Sequence, residues 1–539
     1  MKTVNVIIGP PGTGKTTRIA EEVSRRVGDM ETPWGREPGA SPVMVCSLTR
    51  AAAAECAGRD LPISRNAVGT LHSFAFRALQ GPALTVGRMG EFGGWEFSDD
   101  TGDGEDFRPE PPASQREGDV LLARYDVIRH RREKVEGPAL QEFVQQYEAW
   151  KAENNLLDFT DLIEQAISEP PPGSPRHMLL DEAQDLSRLE LDLARTWATY
   201  CESITICGDP RQSLYCWRGA YPAMFADPRI RESREVLSQS YRVPRAVHQL
   251  AGEWARQLTD WEHQEYHPTA AEGNVVGLRG TSWKRPETLL PVIEHYIAEG
   301  ATVMVQTSCS YMLQPLVKLL RAEGIPFHNP RRRSRGDWNP LRRSSRGATT
   351  LQRAEALISG MVDGWTGEAA RQWLEVTKGI LKRGYKQRLA DVLPDTPFEV
   401  AGTLLDILDL VAWDELDRLA NLETDAAALV RWWADRTETD RARMADYIAK
   451  IVERFGEAGI TDDPQVMVGT IHSFKGSEAD VCITFPDLSG AGQRSFEGDD
   501  DEHDEVIRLG YVALTRAKDT IAIAEPVTTS MCMPLWDYL

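Results

Sequence analysis

"TVNVIIGPPGTGKT" runs from Thr3 to Thr16, and its reading decides the fold. The opening Thr3–Ile8 is rich in β-branched residues and has the character of a buried strand. It leads without a break into GPPGTGKT, which fits G-x-x-x-x-G-K-[ST] at every position. Gly9, Gly12 and Gly14 allow backbone N–H groups to turn inward around phosphate oxygens. Lys15 can reach the β- and γ-phosphates, and the Thr16 hydroxyl can ligand Mg²⁺. The nucleotide-binding set is therefore Gly9, Pro10, Pro11, Gly12, Thr13, Gly14, Lys15, Thr16, Thr17 and Arg18. Strand, phosphate loop and helix in that order start a parallel α/β fold.

Further along, the same rhythm returns in "PVMVCSLT", "HMLLDEAQD", "SITICGD", "GATVMVQTS", "PQVMVGTIHS" and "ADVCITF", with helical patterns between them. "HMLLDEAQD" supplies the acids that a P-loop alone lacks. Asp181 is placed to hold the metal and Glu182 to polarise an attacking water. Two stretches break the rhythm: 81–118 is rich in Gly, Pro and acids and reads as loop or insertion, and 331–463 is mainly helical in pattern. The cluster "RRRSRGDWNPLRRSSR" (331–346) reads either as a phosphate contact or as a solvated linker. "GDDDEHDE" (498–505) reads as an exposed acidic loop.

The 539 residues suffice for several domains, and 41% hydrophobic with 27% charged residues is a globular balance. A net charge of −21 argues against coating DNA through bulk charge, but says nothing of a local groove. The eight cysteines form no CxxC pair, so neither a disulfide framework nor a zinc site is expected. No apolar run is long enough to span a bilayer, and Met1 and Lys2 lead straight into the first strand. The expectation is a cytoplasmic protein without a membrane partner.

The ordered motifs are "GPPGTGKT", "VCSLTRAAAAE" (45–55), "VGTLHSFAFRAL" (68–79), "LLDFTDLI" (156–163), "LLDEAQDLS", "ICGDPRQSLYCWRGA", "SQSYRVP", "VGTIHSFKGSEADV" (468–481) and "LGYVALTRAKD" (509–519). Together they resemble superfamily 1A DNA helicases of the UvrD/Rep/PcrA type. The resemblance implies two RecA-like cores with parallel sheets, each interrupted by a mainly helical inserted subdomain. The first core would be 1–79 plus 157–240 around a subdomain at 80–156. The second would be 241–330 plus 464–539 around a subdomain at 331–463.

The same resemblance implies roles. Lys15, Thr16, Asp181 and Glu182 would perform ATP chemistry with Mg²⁺. Gln212 would sense the γ-phosphate, Tyr241 would stack on adenine, Glu478 would bond the ribose, and Arg242 and Arg516 would be arginine fingers. Thr70 and His72, with Thr470 and His472, would grip one DNA strand, Thr49 and Arg50 would add a contact, and Trp217 would stack on a base beside Tyr215 and Arg218. Where the family commonly carries an aromatic ring in its second motif, this chain has Leu48, so a weaker base pocket is expected there.

The implied activity is ATP-dependent 3′–5′ translocation on single-stranded DNA with duplex unwinding at ss/ds junctions, by a monomer or weak dimer with or without a loading partner. A second reading is a DNA-stimulated ATPase that strips bound proteins without separating strands. A third, a small-molecule kinase, is opposed by the aromatic–arginine motif and by the paired Gly-Thr-x-His-Ser segments.

Overall fold

The computed structural model describes residues 3–28, 41–47, 61–97, 116–227, 234–259, 263–333, 335–421 and 426–539. Two compact units result. The first comprises Met1–Val275 with Leu488–Asp519 and Tyr538, and the second comprises Val276–Asp487 with Thr520–Asp537 and Leu539.

The first unit is built on six strands, β1 (Thr3–Ile8), β2 (Val43–Ser47), β3 (Val68–Thr70), β4 (His177–Leu180), β5 (Ser203–Gly208) and β6 (Arg234–Val236), in the order β3-β2-β4-β5-β1-β6. Every neighbouring pair is parallel. All carboxyl ends therefore open on one edge, where ligands of open α/β sheets bind. Side chains alternate across β1: Val6 and Ile8 join Met44, Phe74 and Leu180 on one face, while Ile7 packs with Ile19, Val23 and Val45 on the other. Both faces are covered, which is why these strands read as continuous apolar runs.

Helices Glu117–Arg131 and Pro138–Asn154 carry a separate aromatic cluster of Phe92, Tyr125, Phe143 and Tyr147. They are tied to the core helix Phe159–Ala166 by buried charge. Arg129 pairs with Asp158 at 2.9 Å, with Glu164 at 2.7 Å and with Asp161. The Lys151 ammonium lies 2.7 Å from Asp158 and 2.6 Å from Asp161. Burial, with the Asp158 charge close by, pushes the Asp126 carboxyl up to about 7.

The second unit has β7 (Asn274–Leu278), β8 (Val303–Thr307), β9 (Phe327–His328), β10 (Val466–Thr470), β11 (Ala479–Thr484) and β12 (Ala517–Ala524), in the order β7-β12-β11-β8-β10-β9. The pairs β11–β8, β8–β10 and β10–β9 are parallel. Helices between β9 and β10, among them Thr350–Ile358, Gly367–Leu374, Ala426–Ala434 and Ala442–Phe455, bury Trp373 and Trp433. Their apolar faces merge with the sheet's own core through Phe327, Leu351 and Tyr447. The α/β class with two parallel-stranded sheets and helical insertions is thus established.

One reading is corrected. The acidic run 498–505 is not a loop: Asp499 caps the helix Asp500–Leu514, its side chain accepting the Glu502 N–H at 3.1 Å. Acids in a first turn favour the helix dipole, so the charge that suggested solvent belongs to a helix start. Asp504 is buried and fastens Thr259 through its backbone N–H and its hydroxyl, both at 2.9 Å. The basic run is likewise partly structural. Arg331 donates to Gly476 O at 2.6 Å and to Ser477 Oγ at 3.2 Å, and Arg335 lies over the Trp338 ring at 3.9 Å. Among the described residues the seven cysteines are free, and no helix is long and apolar enough to cross a membrane.

Candidate functional site

The phosphate loop leaves β1 beside the end of β5, where the Gly9 N–H donates to Gly208 O at 3.0 Å. Gly12 and Gly14 take left-handed φ values of 73° and 81°. Gly12 is constrained from outside as well, since a Cβ there would lie 2.5 Å from Arg242 Cβ and 2.8 Å from Ser240 Oγ. Gly12→Ala is therefore expected to cost about 1–3 kcal/mol of stability, from strain plus displacement of the 240–242 segment. Urea unfolding measures this, and an unchanged midpoint would refute the close packing.

That segment is attached to the loop at two points, and Tyr266 adds a third. Tyr241 N–H donates to Gly12 O at 2.8 Å, Ser240 Oγ to Pro11 O at 3.0 Å, and Tyr266 OH to Pro11 O at 2.8 Å. Tyr241 itself presents its ring to solvent, 78% exposed, next to the loop. Arg242 is half-buried beside Gly12. Lys15 folds back across the loop, and its ammonium donates to Gly9 O at 2.7 Å. Thr16 and Thr17 begin the helix Lys15–Gly28, while Arg18 faces Glu235 at 3.0 Å.

Asp181 follows β4 and is 3% exposed. Its backbone N–H bonds Cys46 O at 2.8 Å, and its Oδ1 accepts the Glu182 N–H at 2.9 Å. Glu182 is a non-glycine residue in left-handed backbone, at φ 52°. Such strain is retained where surrounding contacts enforce it. Gln184 supplies one, donating to Glu182 Oε2 at 2.5 Å while its Oε1 accepts the Asp209 N–H at 3.0 Å. Asp209 Oδ2 in turn accepts from Gln212 Nε2 at 2.7 Å. The other end of that amide, Oε1, accepts from Arg516 Nη2 at 3.1 Å. An unbroken polar line thus runs Glu182–Gln184–Asp209–Gln212–Arg516. Arg516 is 1% exposed. Gln184 and Asp209 were not among the expected site residues, although both lie inside quoted motifs.

Thr16 offers a hydroxyl and Asp181 a carboxylate, oxygen donors of the kind Mg²⁺ takes alongside phosphate and water. Among the described residues, one acidic group has metal-like spacing, Glu148, Asp158 and Asp161. The Lys151 ammonium lies within 2.9 Å of all three, so that place already holds its cation.

The aromatic stretch lies on the same segment as Gln212. Trp217 is half-buried, its indole N–H donating to Leu214 O at 3.1 Å and its ring 6.4 Å from Tyr215. Arg218 lies 4.0 Å from the buried Glu190, and His72 Nδ1 is 3.9 Å from the same carboxylate oxygen. Burial alone would raise the Glu190 carboxyl, but Arg218, His130 and His72 bring it down to about 2. Burial also lowers His72 to about 4 despite Glu190, so its imidazole is neutral at physiological pH. Glu190 gathers three expected or neighbouring contact residues and was not foreseen. Its sequence setting is that of an ordinary capping box with Ser187.

The two Gly-Thr-x-His-Ser segments share one local design. In the first unit Thr70 caps the helix Leu71–Ala78, accepting the Ser73 N–H at 3.1 Å, and Ser73 Oγ returns a bond to Thr70 O at 2.7 Å. In the second unit Thr470 accepts the Ser473 N–H at 3.3 Å, and Ser473 Oγ donates to Thr470 O at 2.7 Å. Thr70 is therefore a helix N-cap, and Thr470 makes the same bond ahead of the short turn His472–Phe474. Glycines 69 and 469 precede them, and a Cβ at either would meet the serine Oγ at 2.5 and 2.4 Å. His472 is half-buried and Glu478 exposed, just past the Gly476–Ser477 turn braced by Arg331. Thr49 and Arg50 lie outside the described residues.

A family model described as the UvrD/REP helicase N-terminal domain matches residues 111–229. A protein named "Probable DNA helicase II homolog" from Mycoplasma genitalium is 22% identical over 440 residues, 69% of this chain and 59% of its own. "ATP-dependent DNA helicase Rep" of Buchnera aphidicola subsp. Acyrthosiphon pisum is 21% identical over 448 residues, 69% of this chain and 68% of its own. "ATP-dependent DNA helicase srs2" of Schizosaccharomyces pombe is 42% identical over 76 residues, 13% of this chain and 8% of its own. The chain spans about half the length of the helicase II homologs it matches.

Proposed function

We propose, from the premise that this chain is a UvrD/Rep-like superfamily 1A protein, that it is an ATP-dependent DNA helicase that moves 3′ to 5′ on single-stranded DNA and opens duplex at junctions. The observation that carries the reading is the unbroken line from Glu182 to Arg516, with a half-buried tryptophan five residues beyond its glutamine. A nucleotide-sensing amide and a base platform on one short segment suit a motor better than a small-molecule kinase.

In this reading the loop glycines and Lys15 bind the triphosphate. Mg²⁺, held by Thr16 and Asp181, would neutralise phosphate charge. Glu182, fixed by Gln184, orients the attacking water and accepts its proton. Arg516 and Arg242 stabilise charge on the transferring group, and Gln212 reports its presence. Tyr241 offers its exposed ring to adenine, and Glu478 contacts the ribose. Thr70, His72, Thr470 and His472 contact the strand backbone. The neutral imidazole of His72 suits hydrogen bonding without the salt cost of a fixed charge, and such backbone contacts carry no base information. Trp217, with Tyr215 and Arg218, stacks on a base, a contact worth about 1–3 kcal/mol and tolerant of sequence.

Strand displacement on partial duplexes with either a 3′ or a 5′ tail tests activity and polarity together. Unwinding of only the 3′-tailed duplex, dependent on ATP, is expected; preference for the 5′ tail would reverse the assignment. DNA-stimulated ATPase without displacement would favour the protein-stripping alternative. Trp217→Ala should lower DNA stimulation about tenfold, the loss of one stacking contact. Unwinding at the parental rate in that variant would remove Trp217 from the stepping cycle.

A further inference from the structure

The segment that joins Gln212 to Trp217 is fastened at both ends to one element, the helix Asp500–Leu514 and the arginine just beyond it. Arg516, just beyond the helix end, bonds Gln212 at 3.1 Å. Glu505, near the start, accepts the backbone N–H of Trp217 at 3.3 Å. The segment, a turn at Pro210–Gln212 and another at Cys216–Arg218 with a short link between, is thus held to this one element at two points.

The helix is itself braced. Trp254 donates its indole N–H to Ile507 O at 2.8 Å, and a Cβ at Gly510 would lie 2.4 Å from that nitrogen. Asp504 holds Thr259. On its other side the aromatic segment meets the helix Glu117–Arg131, where Arg131 donates to Cys216 O at 3.2 Å.

We propose that the helix Asp500–Leu514 is the rod that carries nucleotide state to the base platform, with Glu505 as the positioning residue that fixes Trp217 to it. The proposal rests on the helicase reading above and adds to it a transmitting element and a second anchor. A rigid helix moves as one body, so a shift of Arg516 on engaging the γ-phosphate must reappear at Glu505. The Glu505 carboxylate makes that end firm, because an ionised acceptor strengthens the Trp217 bond. Burial raises the Glu505 carboxyl to about 7, against the opposing influence of the Trp217 N–H, Arg508 and Arg131, with Glu502 adding to the rise. The anchor is therefore mostly charged above that pH and mostly neutral below it.

The test compares ATPase rates with and without saturating single-stranded DNA, across about pH 6 to 8, in the parent and in Glu505→Ala and Glu505→Gln. In the parent the stimulation ratio should climb with the ionised fraction, from about a tenth at pH 6 to about nine tenths at pH 8. Glu505→Ala should lose at least about fivefold in that ratio, the loss of one charge-assisted bond. Glu505→Gln, which keeps the shape and an acceptor, should fold normally and give a ratio that does not change with pH. A ratio in Glu505→Ala equal to the parent's, or a parental pH profile in Glu505→Gln, overturns the proposal while leaving the helicase reading intact. Should Glu505→Ala fail to fold, the Glu505→Gln profile decides alone. A parent with no DNA stimulation at any pH removes the helicase reading and this proposal with it.

Discussion

Lys15→Ala is expected to lower ATP turnover by at least about a hundredfold, the scale of losing one preorganised charge at a phosphoryl group. The geometry makes the effect specific. The lysine stem lies over Gly9, where a Cβ would come within 2.2 Å of Lys15 Cγ, and its ammonium already bonds Gly9 O. The charge is thus held over the loop, where in the proposed site it would exchange a carbonyl for phosphate oxygens. Alanine removes the charge without crowding the glycine. Single-strand affinity without nucleotide should stay within about twofold, because no proposed DNA contact touches this side chain. Phosphate release and fluorescence anisotropy of a labelled strand measure the two quantities. Turnover within tenfold of the parent would refute the assignment of the phosphate site.

The second large effect is expected at Arg516. An arginine finger contributes about 10³ or more to turnover in related phosphoryl-transfer chemistry, and Arg516→Ala should approach that loss. Arg516→Lys should recover little. The guanidinium uses its fork to donate to Val512 O at 3.0 Å, Thr515 Oγ1 at 3.2 Å and Gln212 Oε1 at 3.1 Å at once. A single ammonium cannot span that arrangement. The lysine variant also guards against misreading a folding defect, since it keeps charge and most of the buried volume. The fall should appear in kcat with KM for ATP changed far less. A rise in KM at constant kcat would make Arg516 a binding group and not a catalytic one.

Much of this was legible in the sequence, for a physical reason. A P-loop is local: its glycine spacing, the lysine and the strand before it lie within fourteen residues, so the phosphate cradle can be read directly. The strands β4, β5, β8, β10 and β11 announce themselves as apolar runs because both their faces are covered. What could not be read are pairings across the chain. Trp217 and Glu505 are 288 residues apart and Gln212 and Arg516 are 304 apart, and neither pair leaves a periodic trace. Buried acids are also misread by composition. Asp504 and Glu505 belong to a run of like charge that suggests solvent, yet a helix turns two of its members inward. Glu190 shows the same limit, since a capping-box glutamate gives no sign that His72, His130 and Arg218 converge on it. Motif order likewise gave no view that Ser240, Tyr241 and Tyr266 are all bonded to the phosphate loop.

The charges that join Arg129 and Lys151 to Asp158, Asp161 and Glu164 have a mechanical consequence. Breaking such a lattice strands an ion away from water, at a cost of several kcal/mol per partner. The arm formed by Glu117–Arg131 and Pro138–Asn154 therefore cannot hinge freely on the sheet it grows from. It behaves as an outrigger bolted to the hull: any load it meets is delivered to the helix Phe159–Ala166.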